Sequence, residues 1–132
     1  MGIHSGRFSF LPGLGIQTRL QRILETKWEG CLPVGNAAIV PTLNDWIPHM
    51  IAAPTMERPS DVSGTDNAYL ATSAALRAVK TYNDWASKND EKVIYRILIP
   101  GMATGIGCMD VDTSARQMRR AVDEALSKWD SW

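Results

Sequence analysis

The stretch LIPGMATGIGCMD, residues 98–110, contains the residues of this sequence that are best suited to chemistry. Gly101, Gly105 and Gly107 follow an apolar run and precede the predicted start of a helix. Consecutive backbone N–H groups can turn toward an anion only where no side chain prevents a close approach. The stretch therefore indicates either a backbone cradle for an anion or a tight turn that uses glycine for its conformational freedom. The local sequence leaves both interpretations open.

The other motifs and side chains that could bind a ligand or a metal ion give weaker evidence of a functional site. The glycine stretch has no Gly-Lys-Ser/Thr, which excludes a nucleoside-triphosphate loop, and GLG at residues 13–15 follows no strand, which excludes a dinucleotide fingerprint. His4 and His49 have no partner at metal-ligand spacing, so no metal site and no cofactor are predicted. Asp110 and Asp112 flank a helix start, where carboxylates stabilise the helix dipole, and we interpret them as capping residues.

Composition narrows the classes of partner. Fourteen basic and fourteen acidic residues cancel in a chain of 132, which predicts one domain with no general attraction to nucleic acid or to a membrane surface. Cys31 and Cys108 are too few and too far apart for a disulfide framework, so we expect reduced thiols in a cytoplasmic protein. No apolar run reaches the ~18 residues of a membrane span, and residues 1–14 lack the order of a signal peptide.

Hydrophobic periodicity predicts the elements that position the glycine stretch. An amphipathic helix is expected over residues 16–28, and nearly continuous apolar runs predict two buried strands at 37–40 and 49–53. An exposed loop at 56–65 precedes a second helix, which is capped by Thr65 or Asp66. The clearest strand is predicted at 92–100. A last helix follows, which Asp112, Thr113 or Ser114 can cap, and Ser114 with Gln117 matches the spacing of a capping box. This alternation is typical of an α/β layer fold with helices on both faces of a sheet.

These segments together closely resemble the macro domain, in particular the macro-like proteins of phages and bacteria. The resemblance runs from about residue 13 to residue 126 and is carried by four stretches: LPVGNAAIVPT, IPHMIAAPTMERPSDVSGTDNAYLATSAALRAV, ILIPGMATGIGCM and SARQMRRAVDEAL. It implies a three-layer α/β/α sandwich with a mixed sheet. It also implies binding of ADP-ribose, or of a related phosphate-containing nucleotide, in a cleft above the strand ends.

The resemblance also implies the site residues. In that family the glycine-rich loop wraps the diphosphate and the distal ribose with its backbone amides, and a second segment shapes the wall of the cleft. The corresponding loop residues here are Gly101, Ala103, Thr104, Gly105, Ile106, Gly107 and Cys108, and the wall residues are Ala53, Pro54 and Thr55. No catalytic residue is assigned.

The chain departs from the family pattern at its N-terminus. Family members begin with strands and an Asn-bearing segment, whereas MGIHSGRF resembles the middle of the loop that follows them. We therefore expect a domain that lacks its first strands, with residues 1–14 as an irregular remnant of the first ligand loop. Because missing strands expose backbone edges and apolar surface, we also expect a homo-oligomer in which residues 1–14 and the Trp-bearing ends cover the sheet.

Three functions remain open on these grounds. The first is a binding module that uses the loop around Thr104–Gly107. The second is a hydrolase of ADP-ribose esters or phosphates, which needs a general base, and Asp110 is the only carboxylate close to the loop in sequence. The third is a structural or interaction protein whose loop holds no ligand. We favour the binding module over the enzyme.

Overall fold

A computed structural model describes residues 15–27 and 30–129 of the chain. The described elements follow the predicted order, except that no strand forms at 92–100. They are α1 (Ile16–Lys27), β1 (Ala38–Pro41), β2 (His49–Ala52), α2 (Asn67–Lys88) and α3 (Val111–Lys128). Residues 1–14, predicted as a loop remnant, lie outside the described residues, as does Trp132.

The two strands form an antiparallel pair with a helix on each face. Ile39 lies opposite Ile51, and Val40 lies opposite Met50. Because successive side chains point to opposite faces of a strand, Val40 and Met50 pack toward α1 while Ile39 and Ile51 pack toward α2. This arrangement confirms the predicted buried strands and gives the α/β/α layering. The described sheet is antiparallel, so the mixed sheet implied by the resemblance is not seen within these residues.

Helix α2 is the central element of the fold. It buries a row of short side chains against its neighbours: Ala68, Ala71, Ala74 and Ala75 are all at most 3% exposed. Alanine favours the helix and lets neighbouring backbones come close, so α2 contacts both the sheet and α3. The helix ends at Lys88, and the N–H of the following residue, Asn89, bonds back to the carbonyls of Trp85 and Ala86.

The prediction of a strand at residues 92–100 is wrong for the described structure. The segment is extended, but none of its backbone groups bonds to the backbone of another described residue. Ile94 and Ile97 pack against the α2 side of the core, whereas Tyr95 and Leu98 are 85% and 82% exposed. The β-forming residues therefore give an extended backbone, but a strand also needs a partner, and the described residues supply none.

The predicted capping box of α3 is also wrong. The N-cap is Asp110, whose carboxylate accepts a hydrogen bond from the N–H of Thr113 at 3.3 Å. The buried Ser114 hydroxyl instead donates to the carbonyl of Met102 at 2.6 Å. Gln117 accepts from the N–H of Tyr69 and donates to the carbonyl of Thr65. Both side chains of the predicted box therefore make tertiary contacts, while the interpretation of Asp110 as a cap is confirmed.

None of the described helices combines the length and the apolar character needed to cross a membrane.

Candidate functional site

The glycine loop, residues 101–109, is a closed turn held at both ends. Met102 and Met109 are buried beside Ala68 near the start of α2, which fixes the two ends of the loop. Between them Ala103 and Cys108 adopt left-handed φ angles of 65° and 58°. The Met109 N–H donates to the Ala103 carbonyl at 2.9 Å. Non-glycine residues adopt this conformation only when surrounding contacts hold them there, so the loop has a defined shape.

The three glycines have different surroundings. A Cβ atom at Gly107 would lie 2.7 Å from the Ala103 carbonyl oxygen and 2.8 Å from Cγ2 of Val62, so no larger residue fits there. At Gly101 the nearest atom is the Thr104 hydroxyl, at 3.3 Å. A Cβ at Gly105 would meet nothing within 4 Å. Gly107 therefore serves close packing, whereas Gly105 faces open space.

The backbone amides of the loop have no protein partners in the described part of the chain. None of the N–H groups of residues 101–107 donates a hydrogen bond to a described group, although the next two amides in the chain both do. Gly105 and Ile106 are exposed, and Thr104 is half-buried. Exposed amides of this kind can donate to water or to a ligand, and a series of N–H groups that turn inward together attracts an anion. The loop thus has the donors that the cradle interpretation requires.

The second predicted segment lies just after β2. Ala53 is fully buried in the core beside α2, Pro54 is half-buried, and Thr55 is 7% exposed. The carbonyl of Thr55 accepts a hydrogen bond from the side-chain amide of Asn67 at 2.8 Å, whereas its hydroxyl bonds to no described group. Ala53 therefore acts in packing, and Thr55 is the member of this segment with an unused polar group.

The loop between β2 and α2 connects the two predicted segments. The Val62 N–H donates to the Gly107 carbonyl at 2.9 Å, which ties this loop to the glycine loop. The Thr65 hydroxyl donates to the Val62 carbonyl and accepts from the N–H of Asn67. Asn67 in turn holds Thr55. A continuous series of hydrogen bonds thus links the glycine loop to the end of β2.

Sequence reasoning missed three of the residues that build this site. Val62 is the one apolar residue in the polar stretch RPSDVSGTD, and this was a usable signal for an anchored position. Asn67 and Gln117 bond to backbone groups 12 and 48 to 52 residues away in sequence, and no local pattern reveals such contacts.

The electrostatics of the site come from the backbone. No salt bridge in the described part of the chain involves a residue of the glycine loop, and the described residues contain no cluster of His, Cys, Asp or Glu able to hold a metal ion. Asp61, in the neighbouring loop, bonds to the hydroxyl and the N–H of Ser63, and these bonds lower the pKa of its carboxyl. The carboxylate of Asp110 caps α3. The arrangement can therefore offer backbone amides to an anion, and it offers no evident base among the described residues.

Comparison with known proteins gives the family. A family model described as Macro domain matches residues 11–118. An uncharacterised protein of Aquifex aeolicus (strain VF5) is 32% identical over 87 residues, which is 66% of this chain and 47% of the relative. The matched part of this chain thus spans about half the length of that relative. No solved structure matches the chain.

Proposed function

We propose that this chain, which belongs to the macro domain family, is a binding module for ADP-ribose or a related phosphate-containing nucleotide. The ligand's diphosphate would lie on the backbone amides of the glycine loop. Gly105 and Ile106 would contact it directly, since they are exposed. The two free cysteines are consistent with a reducing compartment, and we propose a cytoplasmic location.

One observation supports the binding module more strongly than any other observation. The amides of residues 101–107 are without partners among the described residues, in a loop whose shape is otherwise fixed by hydrogen bonds and by close packing at Gly107. A plain turn needs the packing alone, whereas an anion cradle also needs available amide donors, and this loop has both. Binding an anion satisfies these groups at little further cost in conformational entropy, because the loop is already ordered.

The hydrolase alternative receives less support. It depends on Asp110 as a general base, and that carboxylate is engaged by the N–H of Thr113 at the start of α3. A general base must reach the proton that it removes. We therefore propose binding without turnover.

The test is calorimetric titration of ADP-ribose into the wild-type protein and into Gly105→Glu. We expect the carboxylate to occupy the place of the anion and to abolish binding, because like charges repel at close range. The fold should survive, since a side chain at Gly105 meets open space. Gly105→Ala is the matched control and should still bind, because it adds a methyl group without charge.

A second control separates local charge from net charge. Ser87→Glu adds the same charge on an exposed turn of α2, near the C-terminal end of that helix. It should bind ADP-ribose like the wild type. Binding that persists in Gly105→Glu would show that the loop is not the site, and no heat from the wild-type protein at millimolar ligand would refute the binding module.

A further inference from the structure

The loop that joins β1 to β2 exposes large apolar side chains. Trp46 is 93% exposed, Leu43 is 80% exposed and Ile47 is 63% exposed. We call residues 42–47 the hairpin tip. Apolar residues scattered singly over a surface are ordinary, whereas several large ones together on one short loop indicate a contact site. The tip therefore calls for an apolar surrounding that the described residues do not supply.

The backbone of the hairpin tip is hydrogen-bonded from within. The side-chain oxygen of Asn44 accepts hydrogen bonds from the N–H groups of Trp46 and Ile47, at 2.9 and 3.0 Å. The hydroxyl of Thr42 accepts from the N–H of Asn44 at 3.1 Å and donates to the carbonyl of Ile47. A backbone group can leave water without a large penalty only when it has a hydrogen-bond partner. These groups keep their partners even where water is absent.

The charges at the hairpin tip cancel. Arg19 of α1 holds the base of the tip, where its guanidinium donates to the carbonyls of Pro41 and Thr42 at 3.0 and 3.4 Å. Asp45 is the one ionised residue within the tip itself, and it is exposed and in no salt bridge with a described residue. One positive and one negative charge give the tip no clear preference for an acidic or a basic partner. Its binding capacity lies in its apolar side chains.

The size of the hairpin tip decides which apolar surrounding fits it. A stable protein–protein interface buries about 800 Å² and involves about 20–30 residues on each side, far more than a loop of this length offers. The same limit applies to a second copy of this chain. A lipid bilayer needs no complementary surface, because each apolar side chain enters it independently. Tryptophan is also enriched where the hydrocarbon of a bilayer meets water. The tip thus fits a bilayer surface better than a protein surface.

We propose that the hairpin tip docks on the surface of a phospholipid bilayer, with Leu43, Trp46 and Ile47 inserted among the headgroups. Asp45 limits the depth of insertion, because an ionised carboxylate stays hydrated. The contact is apolar, so it requires no anionic lipid and changes little with salt. It is weak and reversible, with half of the protein bound at about 0.1–1 mM lipid. This inference does not depend on the proposed ligand.

The first test is co-sedimentation of the full chain with phosphatidylcholine vesicles. Trp46→Ala should weaken binding about tenfold, because this side chain carries the largest apolar area of the tip. It should leave the fold intact, since Trp46 is 93% exposed. Leu43→Ala should weaken binding severalfold. Its matched control is Leu98→Ala, which removes an equally exposed leucine outside the tip, at 82% exposure, and should bind like the wild type.

The second test addresses depth and charge. Phosphatidylcholine brominated on its acyl chains should quench the tryptophan emission of the wild type and much less that of Trp46→Ala. Asp45→Asn should bind severalfold more tightly, because it removes the charge that holds the loop in water. Replacing part of the phosphatidylcholine by anionic phosphatidylglycerol, or raising the salt from about 50 to 500 mM, should change the affinity by less than about twofold.

Three results would overturn the inference. The first is a wild-type protein that stays in the supernatant at about 5 mM lipid. The second is vesicle binding that both Trp46→Ala and Leu43→Ala leave unchanged, because the lipid contact would then lie elsewhere. The third is self-association in the absence of vesicles that Trp46→Ala abolishes, because the occupant of the tip would then be a second copy of the chain.

Discussion

At the scale of single residues, the sequence identified the glycine loop but did not distinguish the roles of its glycines. Gly105 and Gly107 are two positions apart and look equivalent in the sequence. Their difference depends on the position of Val62, 45 residues earlier, whose side chain approaches only Gly107. The unpaired amides likewise become visible only when every neighbouring acceptor has been placed.

Gly107→Ala should destabilise the protein. The added methyl group would lie 2.7 Å from the Ala103 carbonyl oxygen and 2.8 Å from Val62, and the loop must shift to admit it. We expect a loss of about 1–3 kcal/mol in the free energy of unfolding, measured by urea denaturation. Gly105→Ala is the matched control and should unfold like the wild type, while equal losses in the two variants would contradict the packing role assigned to Gly107.

At the scale of elements, local patterns predicted the three helices and the strand pair, because each has a clear periodicity and a clear end. They did not predict the state of residues 92–100. Val93, Ile94 and Tyr95 favour an extended backbone, but strand formation also depends on a partner that lies far away in sequence or outside the described residues. The contacts of Ser114 and Gln117 were missed for the same reason, since a capping-box pattern is local and the actual partners are distant.

Asn83 holds the extended segment against α2, and its removal should loosen that segment. In Asn83→Ala both hydrogen bonds to Ile94 are lost, which we expect to cost about 1–2 kcal/mol of stability. Amide exchange at Ile94 should accelerate more than exchange in α3. Asn83→Asp keeps the acceptor for the Ile94 N–H but loses the donor to the Ile94 carbonyl. Its rate of amide exchange at Ile94 should therefore lie between those of the wild type and of Asn83→Ala. Unchanged exchange at Ile94 in the alanine variant would contradict this role.

At the scale of the whole molecule, the sequence predicted the α/β class and the layers, because the family resemblance covers most of the chain. The described sheet has two strands only, with α1 on one face and α2 on the other. His49 begins β2, and its ring contacts Tyr82 of α2 edge-on with centroids 4.9 Å apart.

His49 should make the stability of the whole fold depend on pH. Burial lowers the pKa of this imidazole below its ordinary value, because the charged form loses hydration. As the pH falls, the unfolded chain binds the proton first, so the stabilisation is present above about pH 6.5 and is lost as the pH falls below it. His49→Phe keeps the ring contact and removes the titration.

Urea denaturation between neutral pH and pH 5 tests this dependence. The free energy of unfolding should fall more steeply for the wild type than for His49→Phe, since other titrating groups are common to both. Parallel curves for the two proteins would show that the imidazole makes no contribution.

The contrast between Gly105 and Gly107 has a consequence for how this sequence can diverge. A change at 107 harms folding whether or not a ligand exists, so selection for a stable protein alone retains that glycine. A change at 105 meets open space and harms only an occupant of the loop. A related protein that had lost ligand binding would therefore keep glycine at 107, while the residue at 105 would be free to vary. The residue at 105 would thus indicate whether the loop is still under selection for binding.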